Sequence, residues 1–134
     1  MEGTTKIISV IKSLLKTLRE HTEELGVNYV LDYVPEEKAM PYVVLGEVGT
    51  MDDGNKKGFG ESINIDIEIW SKNKGKYKDL VTAKKIQEIL LEDLKPLEKE
   101  EEFNTIWQDA TTVTSRELDF GIFLTVVKLR IRIM

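Results

Sequence analysis

The sequence predicts an α+β fold: a two-layer sandwich in which two helices pack on one face of a mainly antiparallel sheet. Three observations carry this expectation. Residues 61–71 alternate Ile63, Ile65, Ile67 and Ile69 with Asn64, Asp66, Glu68 and Trp70. Strict period two marks a strand with one buried face. Residues 4–25 and 77–94 instead repeat their apolar positions every three or four residues, as amphipathic helices do. The other apolar stretches are short and joined by brief polar links, which favours antiparallel neighbours.

The elements follow in chain order. In the first helix Ile7, Ile8, Ile11, Leu14, Leu15, Leu18, Thr22 and Leu25 form the core stripe, opposite Lys6, Lys12, Lys16, Arg19, Glu20 and Glu23. Thr4 or Thr5 is placed to cap its start, and Gly26 to end it in a left-handed turn. Residues 28–34 read as a strand stopped by Pro35, and Glu36, Glu37 and Lys38 as solvated loop. Pro41 opens the next strand, 42–48, and a proline at a strand's first residue costs no ladder bond. Four glycines make 49–60 a loop. After the strand at 61–71, a turn around Gly75 leads into the second helix. Leu80, Ala83, Ile86, Ile89, Leu90 and Leu94 face its core, and Pro96 stops it. Residues 98–102 are an acidic linker. Residues 103–120 read as extended, with alternation that slips at 109–112 and so predicts a bulge. Gly121 turns the chain into a last strand, 122–134, with Leu124, Val126 or Val127, Leu129, Ile131 and Ile133 opposite Lys128, Arg130 and Arg132. The predicted order is α-β-β-β-α-β-β.

At 134 residues the chain fits one domain, 1–134, with one core. It carries 19 Lys+Arg against 24 Asp+Glu, a net charge of −5. An acidic balance disfavours general affinity for nucleic acid, though it leaves room for a local basic patch. With no cysteine, disulfides, thiolate nucleophiles and Cys-ligated metals are excluded, and folding inside a cell is the simplest expectation. No apolar run is long enough to span a membrane, and the first residues carry no signal-peptide pattern.

Motifs for chemistry are missing where each would be needed. The single histidine, His21, sits among Arg19, Glu20, Glu23 and Glu24 and reads as a polar-face residue rather than a ligand. Gly49 and Gly54 have P-loop spacing, but Asn55 stands at the lysine position, Lys56 comes one place late, and Asp52 and Asp53 repel phosphate. A strand follows where a helix must aim its amides at the anion. Two adjacent carboxylates in one loop also lack the ligand spacing of a calcium site. Neither a catalytic residue, a metal nor a cofactor is therefore expected. Two surface features remain. Lys128, Arg130 and Arg132 form a basic stripe, and Asp66 and Glu68 an acidic one on another strand. They read either as cross-strand pairs or as a face that meets a neighbouring subunit. The loop carrying Met51, Asp52, Asp53, Gly54, Asn55, Lys56 and Lys57 offers both signs of charge and reads as a docking element that orders on assembly.

Val34-Pro35, the run Ala39 to Glu47 around Pro41-Tyr42-Val43-Val44-Leu45-Gly46, and Ile65 to Ser71 before a helix form an ordered constellation. It resembles the tail-completion, or tail-to-head joining, family of long-tailed bacteriophages and prophages. Length, element order and both motifs agree; residues 98–119 agree only in outline. The resemblance implies a non-enzymatic virion assembly protein that makes a ring, usually six-fold, on the head-proximal end of the tail tube. It would join tail-tube protein to the head-completion stopper, assembling in the host cytoplasm and ending in the virion tail; from charge and hydropathy, neither nucleic acid nor membrane is expected as a partner. Pro41, Tyr42, Gly46, Trp70 and Ser71 match the motifs and look like fold determinants. The alternative is a small bacterial adaptor or regulatory domain that binds one protein.

Overall fold

The computed structural model describes residues 2–52, 61–93, 105–119 and 121–133. The elements are α1 (Glu2–Arg19), α2 (Thr22–Leu25), β1 (Tyr29–Leu31), β2 (Tyr42–Asp52), β3 (Glu61–Ser71), α3 (Tyr77–Asp93), β4 (Thr105–Asp119) and β5 (Ile122–Ile133). The five strands form one sheet in the order β1-β2-β3-β5-β4. The α+β class and the helix-on-sheet layering are those the sequence predicts.

β3 occupies the centre, and its alternation explains why. Ile63, Ile65, Ile67 and Ile69 are buried, while Ser62, Asn64, Asp66, Glu68 and Trp70 are partly exposed. The isoleucines pack into one core with Val10, Leu14 and Leu18 of α1, Ala83, Ile86, Ile89 and Leu90 of α3, and Val127, Leu129, Ile131 and Ile133 of β5. Antiparallel pairing runs along both edges of β3, from Tyr42↔Trp70 on β2 to Ser71↔Phe123 on β5.

Several elements differ from their predicted form. The first helix breaks after Arg19, where the His21 amide bonds to the Leu18 carbonyl and tightens the turn. Gly26, at φ 72°, does take the left-handed cap, but of the short α2. Because α1 begins at Glu2, Thr4 and Thr5 lie inside it rather than at its cap. Its buried stripe runs through Ser9, Val10, Ser13, Leu14, Thr17 and Leu18, and Ile8 is half exposed. Small hydroxyl residues pack as well as apolar ones at a close helix contact when their polar groups are engaged, as those of Ser9 and Ser13 are. In α3 the stripe begins at Asp79, and Leu80, assigned to the core by periodicity, is 44% exposed. Leu94 lies outside the described residues.

The first strand is only three residues long and pairs with β2 in parallel, Tyr29↔Tyr42 to Leu31↔Val44. Residues 32–41 carry the chain back to make this possible, passing through a cis Met40–Pro41 bond. Asn28 anchors the return: its amide donates to the Pro41 carbonyl at 2.8 Å and its side chain to that of Ala39 at 3.0 Å. β2 continues through Gly49 to Asp52, beyond the predicted end, after an irregularity between Leu45 and Val48. The bulge expected at 109–112 is present as a register shift between Asp109 and Thr112. Gly121 turns β4 into β5 at φ 80°.

The buried stripes make a paired prediction. Ile67→Ala should cost about 2–5 kcal/mol, from lost burial plus a cavity, whereas Leu80→Ala should stay within about 0.5 kcal/mol. Urea unfolding of both variants checks this, and equal losses would contradict the assigned faces.

Candidate functional site

The sheet face away from the helices has two halves. Register places Tyr42, Trp70 and Leu124 side by side at one end, with Val44, Glu68 and Val126 in the next row. Tyr42, Val44 and Leu124 are buried, so this end is apolar and not the uniformly polar face the alternation implied. The rings of Tyr42 and Trp70 stack with centroids 6.4 Å apart, a favourable aromatic spacing. Burial pushes the Tyr42 hydroxyl pKa up. Trp70 Nε1 donates to Glu68 Oε1 at 3.0 Å. The Glu68 carboxylate also lies over Gly46, in the space a Cβ there would enter. Glu68 thus serves its own sheet, and the residue opposite it on β5 is Val126, not a cation.

Toward the other end the face is charged. Asp66 and Lys128 are direct cross-strand partners, with Nζ 3.9 Å from Oδ1. At that distance and exposure the pair adds well under about 1 kcal/mol. Together with Glu47, Gly49 and Asn64 they line a shallow depression of about 200 Å³. Arg130 stands opposite Asn64 on β3 and Asp109 on β4; Arg132 stands opposite Ser62 and Trp107. The predicted stripes therefore share one face, and of the two acids only Asp66 meets a basic residue of the stripe.

Of the predicted docking loop, Met51 and Asp52 belong to β2, paired with Ser62 and Glu61. Asp53, Gly54, Asn55, Lys56 and Lys57 lie outside the described residues. His21 makes a local contact, Nδ1 to Glu24 Oε2 at 2.9 Å. No group of three or more potential metal ligands occurs among the described residues, and no described helix is long and apolar enough to cross a membrane.

Two polar clusters escaped the sequence reading. Asp79, in the first turn of α3, is buried and accepts from Ser71 Oγ at 2.6 Å and Asn73 Nδ2 at 2.9 Å. This ties the end of β3 to the start of α3. The signal was an acid in a first helical turn with Ser and Asn just upstream. At the β4 bulge, Asp109 Oδ1 accepts from the Thr111 hydroxyl at 2.7 Å and the Thr111 amide at 2.9 Å. The bulge is fastened to α3 by Gln87 Nε2 donating to the Ala110 carbonyl and Gln108 Nε2 donating to that of Leu90.

The fold defines an α+β sandwich protein with a five-stranded mixed sheet. The chain belongs to the family of tail completion protein gp17, whose model matches residues 10–134. Its role lies in phage tail assembly. Among solved structures, a chain from the virion of a native gene transfer agent (GTA) particle superposes with a TM-score of 0.73 at 20% identity, covering 90% of each chain. Bacteriophage SPP1 gp17 superposes with a TM-score of 0.53 at 21% identity, covering 92% of this chain and 87% of that one. These similarities show a shared fold. No curated protein matches the chain in sequence.

The two clusters generate separate predictions. Asp79→Ala strands the Ser71 hydroxyl in a buried site and should cost about 1–3 kcal/mol; an unchanged unfolding midpoint would show that the clamp contributes nothing. The Asp109 carboxyl is held below its ordinary pKa, first by the Thr111 hydroxyl bond, then by the Thr111 amide, with a smaller pull from Arg130 against some desolvation. A depressed folded pKa means the stabilisation is complete above the ordinary aspartate range and is lost as pH falls through the folded value. Thr111→Val should move the Asp109 titration upward in an NMR pH series. A midpoint that stays put would assign the shift to other groups.

Proposed function

We propose that the chain forms a ring, six-fold as the resemblance implies, on the head-proximal end of a phage tail tube. There it joins tail-tube protein to the head-completion stopper without catalysing any reaction. The observation that carries this reading is the family match across residues 10–134, together with a motif whose residues all serve the fold. The chain acts as one domain, 1–134, assembling in the host cytoplasm and becoming part of the virion tail.

A closed ring needs two different patches on each subunit that fit each other. The face bearing Asp66, Lys128, Arg130 and Arg132 is one such patch in this proposal. It carries charges of both signs on neighbouring strands, so a neighbour of complementary pattern gains from meeting them. Glu68 lies on the same face but is held by Trp70. The loop between β2 and β3 is a separate element, which we assign to contact with the tube or the stopper.

Sizing by light scattering, with and without tail-tube protein, tests the ring. The wild type should form ring-sized complexes on the tube, and the Lys128→Glu/Arg130→Glu double variant should stay folded but remain unassembled. Normal assembly of that variant would remove this face from the interface. Replacing residues 53–57 with a Gly/Ser linker spares the paired Met51 and Asp52 and should preserve the melting temperature while abolishing head–tail joining. Joined particles at normal yield would make the loop a plain connection.

A further inference from the structure

We propose that the β3–α3 connection is a contact site for the phosphate backbone of nucleic acid, made by Lys72, Lys74, Lys76 and Lys78. All four lysines are exposed, and residues 72–78 contain no acid. These residues line a depression of about 480 Å³. Among the described residues none of the four enters an ion pair, whereas Lys128 on the sheet face does. Four positive charges in seven residues stand out in a chain whose net charge is −5. The overall charge argues against general nucleic-acid affinity; it does not govern a cluster this dense, because exposed charges are screened over about 10 Å.

The segment is held, not merely basic. Asn73 and Ser71 both bond to buried Asp79, Gly75 sits at φ 129°, and the Leu80 amide donates to the Lys76 carbonyl at 2.9 Å. The nearest acid in sequence is thereby turned into the protein, and the lysines project from a fixed base. Tyr77 among them is 80% exposed, an aromatic surface on which a base or sugar can rest. An acidic protein surface is the competing partner. Protein interfaces are depleted in lysine and favour arginine, whereas phosphates are bound by lysine as a point charge. Glu117 and Asp119 of β4 are exposed at the same end of the sheet. They confine the contact to a narrow track along the lysines.

The inference does not depend on ring formation, so it is tested on the isolated chain. Fluorescence anisotropy with a short labelled DNA duplex should show binding that weakens about 40- to 150-fold between about 50 and 200 mM salt. That is the expectation for three to four phosphates neutralised at a slope near 0.9 each. Changing all four lysines to glutamine should weaken binding at low salt by at least about tenfold and flatten the salt slope. Lys84→Gln on the exposed side of α3 should leave both unchanged. Amide shifts in NMR on adding duplex should concentrate at residues 72–78. No binding at low salt, shifts concentrated elsewhere, or undiminished binding by the quadruple variant would overturn the proposal. Tighter binding to polyglutamate than to DNA would overturn it too, in favour of an acidic protein partner.

Discussion

The structure depends on the burial of one side of β3. Four isoleucines on alternate positions leave water together, each worth about 1.5–3 kcal/mol, and the strand that carries them is paired along both edges. It is the middle strand of the five. Because side chains alternate with period two, a slip of one residue would drive Asp66 and Glu68 into the helices and expose the isoleucines. The isoleucines therefore fix more than the core. They put Asp66 on the outer face beside Lys128, aim Trp70 at Tyr42, and deliver Ser71 to the start of α3.

The family motif can be understood from these consequences. Tyr42 and Trp70 stack on the outer face of adjacent strands, and Glu68 bonds to the indole and lies over Gly46. Ser71 closes the strand onto Asp79. These residues build the apolar end of the sheet and its junction with α3. What is left for partners is the charged end of the face, where Lys128 and Arg130 are exposed.

Much of this was legible in the sequence, and the failures share a cause. β3 was readable to the residue because strict alternation has one interpretation, and Gly26 and Gly121 marked turns that only a positive φ allows. Leu80 was misplaced because periodicity ranks residues by polarity. It cannot see that Asp79, once bonded to Ser71 and Asn73, belongs inside and takes the first position of the stripe. Ser13 and Thr17 were passed over for the same reason. The parallel pairing of β1 was hidden because short links favour antiparallel neighbours, and nothing in residues 32–41 announces a return crossing. On the surface, the basic stripe and Asp66 could be found, but not that Glu68 is claimed by Trp70. Lys72 to Lys76 read as a turn around Gly75 and Lys78 as part of the helix, and their charges stand together as one cluster only once Asp79 is seen to face inward.

The proposed role joins these features: a paired five-stranded sheet with a charged outer half fits a protein that connects others. Removing the gene and imaging the particles that accumulate tests this most directly. The account predicts filled heads and completed tails that remain separate, with joining restored when the wild-type chain is supplied. Joined, infectious particles at normal yield in its absence would contradict it.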